Sequence, residues 1–145
     1  MKKIGTVLLS TCMAAMVAIN ASASYSVGYS STKKWFINMK NYIGSASIYA
    51  YSDNVRGDSD IQAESGSFDA FEVGAKSKVY KSNGTLVASN SYTYCKSNTT
   101  KYSSGAIYYT KSGTYYSIGY AHIKVEQTNK YTERITDKTA NVVPS

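Results

Sequence analysis

Residues 71–95 read FEVGAKSKVYKSNGTLVASNSYTYC, two runs of strand-forming residues on either side of Asn83-Gly84. Asn-Gly readily takes the positive φ values that a two-residue type I′ turn demands, so the pair marks a β-hairpin. With those two residues as the loop, Val79 faces Ala88, Ala75 faces Tyr92 and Val73 faces Tyr94. That register predicts one face carrying Phe71, Val73, Ala75, Val79, Leu86, Ala88, Tyr92 and Tyr94, and an opposite face carrying Lys76, Lys78, Ser89, Ser91 and Thr93. One apolar and one wet face is the pattern of an antiparallel sheet covered on one side.

Working outward, Ser112-Gly113 predicts a second hairpin, joining residues 106–110 to the long run 114–125. In that run Tyr116, Ile118 and Tyr120 share one parity, and Ala121, Ile123 and Val125 the other. A bulge near Gly119 is therefore expected to switch the buried face. Further strands are expected at 35–39, 42–51 and 131–136. Fifteen tyrosines, abundant Ser and Thr, and a single proline, Pro144, favour strand over helix or disorder. About eight short strands with frequent turns predict an all-β, antiparallel β-sandwich, immunoglobulin-like or jelly-roll-like, with a closed barrel as the alternative. The hexamer Tyr25-Ser26-Val27-Gly28-Tyr29-Ser30 echoes Tyr116-Ser117-Ile118-Gly119-Tyr120-Ala121, as strands of similar composition would.

The first 23 residues stand apart. Lys2 and Lys3 precede an apolar run from Ile4 to Ile19, and the small residues Ala21-Ser22-Ala23 follow, which is the three-part pattern of an export signal. Residues 1–23 are expected to form a cleaved signal helix, and residues 24–145 a single secreted domain. A lipoprotein box at Leu9-Ser10-Thr11-Cys12 would leave a very short apolar region and place Thr where Gly, Ala or Ser is usual. Of the two cysteines, only Cys95 lies beyond the signal, so no internal disulfide is expected there.

The formal net charge is +7, of which Lys2 and Lys3 belong to the leader. The remaining lysines are scattered rather than massed, so nucleic acid is not an expected partner. Anionic wall polymers or membrane surfaces suit such a charge better. Catalysis is not expected. The lone histidine, His122, and Cys95 fall on different predicted hairpins, and neither sits in a glycine-rich elbow or at a helix start. One His and one Cys also fall short of the usual zinc sets, so no cofactor is expected. In Asp53-Asn54-Val55-Arg56-Gly57-Asp58-Ser59-Asp60, read as a loop, Asp53, Asp58 and Asp60 supply oxygens suited to calcium. Arg56-Gly57-Asp58 within it is the tripeptide that integrins recognise.

Tyrosine is the strongest remaining signal. Tyr108-Tyr109 and Tyr115-Tyr116 straddle the predicted turn, and strand alternation turns one member of each pair outward. Tyr gives large, rigid contact area with a polar tip, so these four residues are the expected ligand-binding surface. A Lys-Lys leader followed by a Tyr-, Ser- and Lys-rich β-chain resembles small exported proteins of Gram-positive bacteria, among them some β-sandwich bacteriocins. That likeness is one of composition and transfers no functional residue. The expected function is a secreted, non-catalytic binding module for cell-wall polymer or carbohydrate. The alternatives are a secreted antibacterial or toxin-like protein acting on anionic envelopes, and an extracellular structural protein that self-associates through its strands.

Overall fold

The computed structural model describes residues 25–144, so the leader expected over residues 1–23 lies outside the described residues. The described chain is all-β. In order, the strands are β1 (Ser26–Tyr29), β2 (Lys33–Ile37), β3 (Lys40–Ala50), β4 (Val55–Ala63), β5 (Val73–Lys81), β6 (Leu86–Ser89), β7 (Thr93–Tyr94), β8 (Lys101–Ser103), β9 (Ile107–Tyr109), β10 (Tyr115–Val125) and β11 (Lys130–Lys138). They form two antiparallel sheets. In the six-stranded sheet β3 pairs with β4, β1 and β2 share the free side of β3, and β8 and β9 share the free side of β4. In the five-stranded sheet the order is β11, β10, β5, with β6 and β7 sharing the far side of β5.

The count is eleven strands rather than about eight because three outer ladders are each broken in two. At each break a polar side chain takes over an acceptor role on the central strand. Ser30 Oγ accepts from Ala46 N, Asn90 Oδ1 from Ser77 N, and Ser104 Oγ from Ser59 N, at 2.9, 2.8 and 3.0 Å. The central strands can thus stay continuous while their edges break, since no backbone donor is left dry.

The first predicted hairpin forms, with a different turn. Gly84 N donates to Lys81 O and Lys81 N to Thr85 O, both at 2.9 Å, with Gly84 alone at positive φ (88°). This is a three-residue loop closed by a left-handed glycine, not a two-residue type I′ turn. Val79 still faces Ala88, because a register shift beside Tyr80 absorbs the extra residue. A further slip beyond Ser89 gives Ala75 opposite Thr93 and Gly74 opposite Tyr94. Tyr92 and Tyr94 therefore turn to the wet face, contrary to the predicted register. Leu86 and Phe71 are exposed as well, Phe71 at a left-handed φ of 61°.

The second predicted hairpin does not form. β9 pairs with β4, while β10 pairs with β5 and β11, so the chain around Ser112-Gly113 crosses between the sheets. The register does shift beside Gly119, between β10 and β11, but β10 keeps one inward parity throughout: Tyr115, Ser117, Gly119, Ala121 and Ile123. The two echoing hexamers occupy unlike places, β1 at an edge and β10 in a sheet interior.

The inward faces pack on each other. One apolar cluster joins Tyr42, Ile61 and Phe68 to Val73, Ala75, Ala121, Ile123 and Cys95. A second, at the other end, joins Ile48, Ala50 and Val55 to Val79, Tyr115 and Val142. Between them runs a seam of small residues. A Cβ on Gly57 would lie 2.8 Å from Val79 Cγ2 and 2.9 Å from Ser77 Oγ, and one on Gly119 would lie 2.5 Å from Ser59 Oγ. Ser77 and Ser117 hydroxyls bond across strands at 2.9 Å. The sheets meet so closely there that only Gly and Ser fit, which sends the large residues Tyr116, Ile118 and Tyr120 of β10 to the outside.

Candidate functional site

β4 carries a concentrated set of polar groups on one face. Val55, Gly57, Ser59, Ile61 and Ala63 point into the core, so Arg56, Asp58, Asp60 and Gln62 alternate onto the outer face of the six-stranded sheet. The stretch read as an acidic loop is thus mostly strand. Its period-two alternation was masked by Gly57, Asp58 and Asp60, residue types that strands disfavour. Asp53 stays in the turn before β4, where Asn54 Nδ2 donates to it, apart from the strand-borne Asp58 and Asp60. Among the described residues no group of three or more His, Cys, Asp or Glu side chains converges as a metal site would. Arg56-Gly57-Asp58 lies within β4 near its start, with Gly57 turned inward against Ser77.

Neighbouring strands complete the face. The pairings Val27 with Tyr49, Tyr49 with Arg56 and Arg56 with Tyr108 form one row across four strands. The next row brings Tyr29 beside Ser47 and Ser47 beside Asp58, and Ser103 pairs with Asp60 on the other side. A depression lies over the break between β8 and β9, lined by Ser47, Tyr49, Arg56, Asp58, Asp60 and Lys101. Arg56 Nε sits 2.8 Å from Asp58 Oδ2, and its guanidinium carbon 5.7 Å from the Tyr49 ring centre. Lys101 Nζ is 3.5 Å from Asp60 Oδ2, and Ser103 Oγ donates to the same carboxylate. Burial pushes the Asp58 carboxyl pKa up, with Arg56 opposing it. Both carboxylates are paired with cations, and both residues line the depression.

Exposed rings flank this polar floor. Tyr25, Tyr29 and Tyr108 are 59, 65 and 56% exposed, and Tyr25 stacks on Tyr51 at 6.1 Å. The neighbouring Tyr49 hydroxyl raises the Tyr29 pKa.

The four tyrosines expected to form one surface are separated. Tyr115 is fully buried and donates to the Lys111 and Ser112 carbonyls, at 3.0 and 2.8 Å. Tyr109 is half-buried against it, edge-on at 5.6 Å. Tyr108 lies on the outer face of the six-stranded sheet and Tyr116 on that of the other sheet, stacked on Tyr80 at 5.3 Å. The structure brings together Tyr108, Asp58 and Asp60 from the expected residues, and adds Tyr29, Tyr49, Arg56, Lys101 and Ser103. Strand alternation around 55–63 was the signal for Arg56, whereas Tyr29, Tyr49, Lys101 and Ser103 arrive on β1, β3 and β8 through strand pairing that the sequence does not show.

His122 and Cys95 do not meet, since His122 is on the outer face of its sheet and Cys95 is in the core, its thiol donating to Asp69 O at 3.2 Å. Comparison with known proteins found no family model, curated protein or solved structure that matches the chain.

Proposed function

We propose that the protein is an exported, non-catalytic β-sandwich module, in the broad sense that covers immunoglobulin-like and jelly-roll-like folds, and that it binds a polyhydroxylated polymer of the cell surface or surroundings. The observation that carries this reading is the outer face of the six-stranded sheet. The exposed rings of Tyr29 and Tyr108 are in register with Ser47 and Arg56 of a floor of paired carboxylates, cations and hydroxyls, and exposed Tyr25 stacks on Tyr51 beside the same sheet. Flat rings take the C–H faces of sugars, while Asp58, Asp60, Arg56 and Lys101 supply acceptors and donors for hydroxyls. A shallow, open site on a rigid sheet suits a long polymer better than a small enclosed ligand. Export rests on the three-part pattern of residues 1–23.

The test is sedimentation of the purified protein with peptidoglycan and with insoluble polysaccharides, beside Tyr29→Ala, Tyr108→Ala and Asp60→Asn. Saturable binding that each substitution weakens about tenfold or more supports the reading. No binding to any polymer, or binding that all three variants retain in full, overturns it.

A further inference from the structure

The two outer faces differ in charge. On the six-stranded sheet Arg56 and Lys101 are matched by Asp58 and Asp60. On the five-stranded sheet three adjacent outward rows are Ile135, Tyr120 and Lys76, then Lys138, Ile118, Lys78 and Ser89, then Tyr116, Tyr80 and Leu86, with Glu133, His122 and Gly74 in the row beyond Ile135. The carboxylate facing these rows, Glu133, is already taken up by the Tyr92 hydroxyl at 2.6 Å and Lys76 at 3.6 Å. Asp137, next to Lys138 in sequence, turns away to Lys33 and Ser31.

The apolar content is also out of place for a wet face. Leu86 and Ile135 are 48 and 45% exposed at positions where an antiparallel sheet ordinarily presents polar groups. Lysines lie along tyrosines, with Lys78 Nζ 4.3 Å from the Tyr120 ring centre and Lys138 Nζ 5.6 Å from that of Tyr116. Aliphatic side chains, tyrosine rings with polar tips and lysines on flexible stems form the combination that settles at a lipid–water boundary. We propose that this face seats the protein on an anionic lipid bilayer. Leu86, Ile118, Ile135 and the rings of Tyr80 and Tyr116 dip among the headgroups, and Lys78 and Lys138 take their phosphates. The inference is independent of polymer binding, which uses the opposite face.

The experiment is co-sedimentation with vesicles of pure phosphatidylcholine and of phosphatidylcholine with about 30% phosphatidylglycerol, an anionic surface to which each nearby lysine adds roughly fivefold in affinity. Binding is expected to the anionic vesicles, to fall in high salt, and to drop about tenfold or more in Lys78→Gln/Lys138→Gln. Leu86→Ser and Ile135→Ser are expected to weaken it severalfold, and Lys34→Gln, on the opposite sheet, to leave it unchanged. Equal binding to neutral vesicles, no binding, or full retention in the lysine double variant overturns the proposal. So does vesicle-free self-association lost in Ile135→Ser, which would assign the face to a second copy of the chain.

Discussion

The ring of Tyr94 fills the place of a side chain at Gly74: a Cβ on Gly74 would lie 2.6 Å from Tyr94 Cδ1 and Cε1. Lying across the glycine, Tyr94 spans β5 and puts its hydroxyl 2.9 Å from His122 Nδ1. Gly74→Ala must push the ring off the sheet. It is expected to destabilise the domain by about 1–3 kcal/mol, the usual result of overpacking. Tyr94→Ala in the same background should return part of that loss, because it removes the clash. Denaturant midpoints of the two single variants and the double variant check this, and additive losses would refute it.

At the seam the same reasoning applies inside the core. Gly119→Ala brings its methyl onto Ser59, whose Oγ would be 2.5 Å and Cβ 2.9 Å away. A loss of about 1–3 kcal/mol is expected, again from overpacking. Ser59→Gly should relieve more than half of it, whereas an unrelated truncation such as Val142→Ala should not. Thermal melts of the four proteins decide the matter.

Val73, Ala75 and Val79 are fully buried as alternation requires, and Asn83-Gly84 marks the local hairpin, although Val79 faces Ala88 only because the shift beside Tyr80 absorbs the extra loop residue. The slip that turns Tyr92 and Tyr94 outward depends on Asn90 reaching back to Ser77 N, a side-chain substitution that no periodicity reveals. The partner of β9 was hidden for a different reason. Ser112-Gly113 reads the same whether the chain folds back on its own sheet or crosses to the other, and only the packing of Tyr109 on Tyr115 across the core distinguishes them. The candidate site was half visible: Asp58, Asp60 and Tyr108 stood out by composition, while Arg56 and Lys101 needed the pairing of β4 with β8 and β9 to gather around them.

The tightest turn in the domain carries a residue that it strains. Asn38 and Met39 both take positive φ, 52° and 62°, in the two-residue connection that sets Ile37 opposite Lys40. Asn38 suits that conformation and is further held by its Nδ2 on Lys124 O at 2.7 Å. Met39 is almost fully exposed and gains nothing from packing to offset the left-handed backbone. Met39→Gly creates the Asn-Gly pair such turns prefer. It is expected to stabilise by about 0.5–1 kcal/mol, since relief of left-handed strain exceeds the added chain entropy. Asn38→Ala should do the reverse. A melting temperature that fails to rise in Met39→Gly would contradict this account of the turn.

Acid sensitivity should trace to His122. Its ring stacks on Tyr92 at 3.5 Å and faces Tyr131 at 5.5 Å, with Lys76 and Glu133 nearby. Burial pushes its pKa down, Lys76 adds to that, and Glu133 opposes it. The unfolded chain then binds the proton more readily than the native one, so stability falls as the pH drops below about 6.5 toward the lower native value. Glu133 contributes with the opposite chemistry in a more acidic window. The Tyr92 hydroxyl and Lys76 hold its carboxyl below the ordinary range, so its contribution is present above the usual carboxylate pKa and lost as the pH falls through its own. His122→Phe keeps the stacking and removes the titration. Denaturant midpoints at pH 7.5, 6.5 and 5.5 should decline in the native protein and stay nearly level in His122→Phe, while the decline below pH 4.5 should persist in both. If the variant loses stability over pH 7.5–5.5 as steeply as the native protein, another group governs that window and the histidine is a spectator.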